Sequence, residues 1–473
     1  MSVEARQDLG GPEPAGRDRL AALGVYLRPR VLVVLLLGFS GGLPLALTGS
    51  TLAIWMADRG VDLGTIGLFS LAGLPYTLKF LWAPLIDALD VPLLARLGRR
   101  RGWLLASQIV LMGALANMAL ATDPVANPVG LALAALTIAI ASATQDIVID
   151  AFRVESLKPK EQAAGMASYV AAYRIAMLVS GAGAIGLVAW MEGEGLDRAA
   201  AWRIAYLFCG LLTLVGILAV LVSREPAQMA GPVARAAEGD ESGAAARPAR
   251  RPLRRVLAVA SGAFGEFLTR PAALAILAFV VLYKLCDALA GVMTGPFVLA
   301  LGYDKATYAA IVKGVGLAAT LVGGFAGGAL ARSLSLAAAL WIGAILQMAS
   351  NLAFAWLAGM PVATWALTVA VVVESFTGGI GTVIFVAYIS ALCRSPLHTA
   401  TQFALLTALA ATGRTFLASY SGFMAEGLGW PLFFVVTAIA AVPSLVLLAS
   451  LGRRGHFAPL ATAPAGRSAA EPA

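Results

Sequence analysis

Charge is scarce in this sequence. Only 13% of its 473 residues are Asp, Glu, Lys or Arg, about half the ~25% of a soluble domain. So little charge cannot cover a water-exposed surface. Histidine occurs twice and cysteine three times. Cys209, Cys286 and Cys393 lie inside or at the end of apolar runs, with no CxxC motif and no His-rich neighbour. That excludes a disulfide framework and supports no metal site and no bound cofactor. HExxH and P-loop motifs are also missing, so nothing points to an enzyme. The first thirty residues are polar and contain Pro and Gly, which is not expected of a cleavable signal peptide.

Apolar residues are what the chain has in excess. They reach 60% before any of the 50 glycines are counted, whereas soluble chains reach about 45–50% with Gly included. The expected fold class is an all-α polytopic membrane protein. Roughly 20 mostly apolar residues cross the hydrocarbon as a helix. Twelve such segments are predicted: 31–56, 63–87, 102–121, 129–152, 163–190, 202–222, 272–300, 305–330, 334–356, 362–392, 399–426 and 430–450. The runs are continuous, unlike the short alternating strands of a membrane barrel.

The net charge of +8 is a topology signal, and its distribution argues against a nucleic-acid partner. Lys and Arg gather in the N-terminal tail and every second loop, including Arg96, Arg99, Arg100 and Arg101, then Arg153 and Lys158, then eight arginines between 224 and 270. The opposite loops carry Arg59, Arg198 and Lys305, with Arg203 at a boundary. The positive-inside rule then places both termini in the cytoplasm. The expected organisation is a tail (1–30), a six-helix bundle (31–222), a linker (223–271), a second six-helix bundle (272–450) and a tail (451–473). Within the linker, Leu253, Val256, Leu257, Phe264, Phe267 and Leu268 share one helical face, as in a helix lying on the inner membrane surface. A disordered tether is the alternative.

Two six-helix halves joined by a cytoplasmic linker resemble the major facilitator architecture. The loop between the second and third segments agrees. Asp87 closes one helix and Gly98-Arg99-Arg100-Arg101-Gly102 opens the next, as in the cytoplasmic brace of those transporters. Gly323-Gly324-Phe325-Ala326-Gly327-Gly328 with Arg332 looks like a worn copy, and its glycines also suit close helix packing.

Further segments are similar to one family, the AmpG muropeptide permeases. They include Gly41-Gly42-Leu43-Pro44, Lys79-Phe80-Leu81-Trp82-Ala83-Pro84-Leu85-Ile86-Asp87, Gln145-Asp146-Ile147-Val148-Ile149-Asp150 and Tyr283-Lys284-Leu285-Cys286-Asp287-Ala288. Gly378-Gly379-Ile380-Gly381-Thr382 and Ala400-Thr401-Gln402-Phe403 continue the series in order. Members usually carry Gly where Cys286 stands and Asn where Ser375 stands. The resemblance implies an inner-membrane permease that imports N-acetylglucosaminyl-1,6-anhydro-N-acetylmuramyl peptides on the proton gradient. It also implies an influence on beta-lactamase induction through wall recycling. Other readings are the same fold carrying another anionic solute, such as a coenzyme A ester or a sugar acid, and a membrane sensor of wall fragments. No obligate protein partner is evident.

Ionisable groups inside spans are costly and mark function or internal pairing. Here they are Lys79, Asp87, Asp146, Asp150, Arg174, Lys284, Asp287, Lys313, Glu374 and Arg414. Asp146, Asp150 and Arg153 fall at i, i+4 and i+7 on one helical face, beside Gln145. Asp146 and Asp150 are candidates for proton or substrate handling, or members of an ion-pair network with Arg153 and nearby bases. Gln145 is a candidate hydrogen-bonder to substrate. Glu374 has no cation within four residues on its own helix and is the better lone proton carrier. Asp287 is the remaining coupling candidate, although Lys284 three residues before it can simply pair with it. Arg174 and Arg414 occupy corresponding spans of the two halves, as do Lys79 and Lys313. These cations suit the carboxylates of a peptide, or they balance the buried acids. Tyr173 and Tyr283 adjoin Arg174 and Lys284 and offer flat faces for a sugar. Asp87, Arg99, Arg100 and Arg101 are assigned to the brace.

Two enzyme-like patterns are coincidental on this reading. Gly38-Phe39-Ser40-Gly41-Gly42 fits a hydrolase elbow, and Gly181-Ala182-Gly183-Ala184-Ile185-Gly186 fits a dinucleotide fingerprint. Both lack the strand those motifs require.

Overall fold

The computed structural model describes residues 25–158, 161–226, 271–392 and 399–461. The expected linker helix and the outer parts of both tails lie outside them. Among the described residues there is no strand, and the helices make twelve passes. Ten are long and apolar enough to cross a membrane by length and composition, from Pro29–Asp58 to Trp430–Arg453. The other two are the second pass (63–88) and the eleventh (399–428), and both are interrupted.

Local chemistry explains the interruptions. Pro75 and Pro84 each open a new helical piece in the second pass, Leu74–Leu78 and Ala83–Ala88, because proline cannot donate to the preceding turn. The eleventh pass carries five threonines, Gln402 and Arg414 in Thr399–Ala418, then breaks before Ser421–Leu428. The first pass is Pro29–Thr48, a kink at Gly49, and Ser50–Asp58. The seventh stops at Leu282 and restarts at Leu285, with Lys284 at the joint. Wide π-helical turns interrupt the fifth pass at Val179–Gly183 and the eighth at Ala309–Val315. Both pseudo-enzymatic glycine patterns fall in helical segments.

Glycine sets the closest helix pairs. The first pass packs on the fifth, and the eighth packs on the tenth. A Cβ on Gly42 would stand 2.3 Å from the Tyr173 carbonyl oxygen, and one on Gly323 would stand 2.0 Å from that of Phe376. The glycine run at 323–328 thus lies inside the helix Gly316–Ser333 and serves packing.

The chain alternates direction, so one end of the bundle collects the terminal segments and the other is remote from them. The first six passes and the last six meet in three places at the remote end. Ser50–Asp58 lies on Leu285–Ala300, Leu63–Phe69 on Ser421–Leu428, and Ala184–Gly193 on Lys305–Tyr308. Lys305 Nζ bridges there to Asp58 at 2.8 Å and Glu192 at 2.6 Å. Arg198 flanks the same carboxylates at 3.7 and 3.6 Å, and the Trp202 indole N–H donates to Asp58 at 2.8 Å. At the opposite end Arg100 joins Asp87 and Glu155, each at 2.7 Å. Glu225 accepts from the backbone N–H groups of Arg100 and Arg101 at 2.8 and 3.0 Å. Arg99 reaches Asp90 and the Asp87 carbonyl, while Arg101 donates to the carbonyls of Val220 and Leu221.

Candidate functional site

The breaks in the first and seventh passes open a cavity of about 660 Å³ between the two sets of six. Tyr76, Lys284, Asp287, Phe385 and Arg414 line it, with apolar groups from the first, second, tenth and eleventh passes. Lys284 pairs with Asp287 and also donates to the Gly378 carbonyl at 3.3 Å. Asp287 sits in the first turn of Leu285–Ala300, where the helix N-terminus favours an anion. The Arg414 guanidinium lies 5.9 Å from the Phe385 ring centroid, within cation–π range. Thr77 and Thr412 share a hydrogen bond of 3.0 Å across the two halves.

Among the first six passes, the paired acids on the fourth separate by depth. Asp146 is buried, with Lys79 Nζ 3.7 Å from one oxygen, whereas the Asp150 side chain is 52% exposed and stands 3.7 Å from Arg153. The shared face is real, but one helical turn carries Asp150 out of the core. Gln145 is fully buried and donates to Ser40 Oγ at 3.1 Å. This places it in the packing between the first and fourth passes. Tyr173 packs beside Tyr169, with ring centroids 5.8 Å apart.

In the second set, Glu374 accepts from the adjacent Ser375 hydroxyl at 3.1 Å. Tyr283 is 1% exposed, stacks on Phe385 and donates to the Leu340 carbonyl at 3.2 Å. Its ring therefore builds the wall behind Phe385. A smaller cavity of about 340 Å³ lies between the fifth and eighth passes, with Arg174, Lys313, Thr320 and Ser375 in its lining. The structure thus gathers Lys284, Asp287 and Arg414 at one cavity and Arg174 and Lys313 at another.

Sequence reasoning missed the bridge at Lys305, whose neighbours had served only to count loop charges. It also missed the buried amides Gln108, Gln347 and Asn351. Gln347, Ser350 and Asn351 are a detectable signal, since they put a polar stripe at helical spacing in an otherwise apolar pass.

The family model described as Major Facilitator Superfamily matches residues 32–395. The anhydromuropeptide permease of Escherichia coli strain K12 is 40% identical over 427 residues, which are 90% of this chain and 80% of that protein. The chain belongs to the AmpG family of major facilitators. Solved structures agree on the fold of this transporter. A bacterial homologue of the human lysosomal transporter Spinster, inward-facing and unoccupied, superposes with a TM-score of 0.64 at 16% identity, covering 94% of this chain and 99% of that one. The D-xylose–proton symporter gives 0.61 at 10% identity, covering 89% and 97%. The relatives and the fold are those of transporters, and the protein is not an enzyme.

Proposed function

We propose that this transporter imports anhydro-muropeptides, N-acetylglucosaminyl-1,6-anhydro-N-acetylmuramyl peptides, across the bacterial inner membrane for peptidoglycan recycling, driven by protons. The observation that carries this reading is the cavity between the two halves, which are tied together at the remote end by the Lys305 bridge. Its mixed lining suits the substrate class. Tyr76 and Phe385 offer flat apolar faces for sugar rings, while Arg414 and Lys284 offer N–H donors to sugar oxygens. The relative from Escherichia coli bears the matching name. The arginine-rich loops put the termini in the cytoplasm, so the end bridged by Lys305 faces the periplasm.

Proton coupling falls to intramembrane carboxyls that can change partner as the halves rock. Asp146, with one oxygen toward Lys79, and Glu374, held by Ser375, fit that role better than the half-exposed Asp150. Asp287 is engaged by Lys284 and is the reserve candidate.

Uptake of labelled anhydro-muropeptide by membrane vesicles tests the reading. Accumulation should collapse with a protonophore and resist competition by unrelated sugars and acetyl-CoA. Displacement by acetyl-CoA would move the substrate to a coenzyme A ester. Asp146→Asn or Glu374→Gln should abolish uphill accumulation yet leave energy-independent exchange, since an amide mimics the protonated acid. If both variants accumulate normally, these acids are scaffold. Reporter fusions within 191–201 should read periplasmic and those within 225–250 cytoplasmic. The reverse result at both sites would overturn the orientation.

A further inference from the structure

We propose that the substrate is held as two chemically distinct arms, its disaccharide in the 660 Å³ cavity and its carboxylate-bearing peptide in the 340 Å³ chamber, on Lys313 and Arg174. This deepens the muropeptide reading and rests on it.

The first observation is an imbalance of charge. Two cations, Arg174 and Lys313, line the smaller chamber, and no acid does. Three other cations in the bundle are matched, while Arg414 in the larger cavity rests over the Phe385 ring. Lys79 faces Asp146, Lys284 pairs with Asp287, and Lys305 bridges two carboxylates. Among the described residues, neither Arg174 nor Lys313 forms an ion pair. Arg174 Nη1 lies 3.9 Å from the Met177 sulfur, and Lys313 Nζ lies 5.7 Å from the Tyr308 ring centroid. Lys313 is only partly exposed, and unmatched charge inside a membrane bundle is costly there. Arg174 is exposed, and an anionic ligand supplies a counter-charge to both. A carboxylate suits both groups, since Arg binds it through two parallel N–H bonds and Lys binds it as a point charge.

The second observation concerns the hydroxyls. Thr320 Oγ1 donates to the Gly316 carbonyl at 2.8 Å, and Ser375 Oγ donates to Glu374 at 3.1 Å. Their donors are committed, which leaves lone pairs that accept N–H groups. Amide N–H groups beside carboxylates are what a peptide presents.

Continuity is the third. Leu45 and Ser50 line both cavities, so the chambers lie on either side of the kink at Gly49. A bipartite ligand can straddle it. The larger chamber contains a matched Lys284–Asp287 pair, the single further cation Arg414 held over Phe385, and aromatic faces, which suits the less charged sugar arm. Two π-helical turns meet across the halves beside the smaller chamber, Val179–Gly183 and Ala309–Val315. The second of these carries Lys313 itself, and such turns recur at functional sites.

Two measurements on the reconstituted full chain test the assignment. One compares binding of a labelled anhydro-disaccharide tripeptide with the same compound after its peptide carboxylates have been converted to amides. Lys313→Gln and Arg174→Gln should each weaken the acid form by about tenfold or more, as expected for a lost charge-assisted bond. The amide form should change by less than about twofold. Equal loss for both forms would make these cations structural, and no loss for either would remove them from the site. The other measurement needs no muropeptide. A Ser375→Cys thiol should react faster with an anionic than with a cationic methanethiosulfonate, with the parent chain's own thiols as blank. Adding Lys313→Gln should erase that preference. A thiol with no charge preference sinks the two-arm assignment even if muropeptide uptake is intact. A wild-type protein that ignores the tripeptide compound sinks the substrate reading instead, and the thiol rates still decide whether the chamber favours anions.

Discussion

The two ends of this transporter use charge in opposite ways. At the end remote from the termini, Lys305 from the eighth pass bridges Asp58 of the first and Glu192 of the fifth. Close by, the backbone N–H of Gly64 donates to Glu426 at 3.0 Å. These contacts join one half to the other. At the terminal end, Arg100 links Asp87 and Glu155, and Arg28 meets Glu161 at 2.7 Å. Each of those networks stays inside the first six passes. Bonds that cross the interface must break whenever that end opens, whereas bonds inside a half can persist in every state. The remote end therefore has the bonding expected of a gate, and the terminal end the bonding expected of a stiffened body.

The sharpest way to break this contrast is to remove Lys305. Its side chain is 8% exposed and that of Asp58 is 9%. Removing one partner from a buried pair costs about 3–5 kcal/mol. Arg198 remains beside both carboxylates, so Lys305→Gln should sit near the lower figure. The cost falls on the state closed at this end alone. A loss of about 3 kcal/mol changes the ratio of the two states on the order of a hundredfold. Spin labels placed across the remote end should report a widened distance, and uptake should fall more than about tenfold. An unchanged distance would mean that the apolar and glycine contacts hold the gate without the bridge.

Arg100→Ala should act on the other side of the comparison. It strips partners from Asp87 and Glu155 within one half, and the Arg100 side chain is 14% exposed. A loss of about 2 kcal/mol in stability is expected, since hydrogen bonds to charged groups contribute ~1.5–3 kcal/mol each and Asp87 is 60% exposed. Thermal unfolding should shift while the label distances at the remote end stay put. A change in those distances would make the Arg100 network part of the gate.

That contrast was only half legible in the sequence. Twelve passes could be read because most are continuous apolar runs, and the observed Leu336–Ala358 and Thr364–Leu392 fall within two residues of the predicted ends. The residues that break the second pass, Pro75 and Pro84, are at least visible in the sequence. The π-helical turns and the joint at Lys284 left no such mark, because an extra residue per turn disturbs an all-apolar pattern very little. Intramembrane charge singled out Asp146, Lys284, Asp287 and Arg414 by its cost alone. Partners were another matter. Lys305 reads as an ordinary loop charge until folding brings it to Glu192, 113 residues earlier in the chain. Tyr283 seemed poised for sugar because it adjoins Lys284, yet the two residues form the joint between helical pieces and their side chains diverge there. One faces the cavity and the other is packed behind Phe385.

The smallest expected effect sharpens the view of the terminal end. Arg28 donates to Glu161 just before the fifth pass, and the Lys158 backbone N–H donates to the other oxygen at 3.1 Å. These bonds, that from Arg28 foremost, hold the Glu161 carboxyl below its ordinary value. A depressed carboxyl stabilises the folded state at pH values above the unfolded-state value, ~4.3. That contribution is lost as pH falls through the lower folded value. The Arg28 side chain is 51% exposed, so water screens the pair and it contributes no more than about 1 kcal/mol. Arg28→Gln should therefore lower the unfolding temperature slightly at pH 7, and the gap from wild type should close progressively below about pH 4. Uptake and remote-end distances should be unaffected, as for any bond confined to one half. A gap that persists unchanged in acid would mean that Arg28 acts through packing against the start of the first pass rather than through its charge.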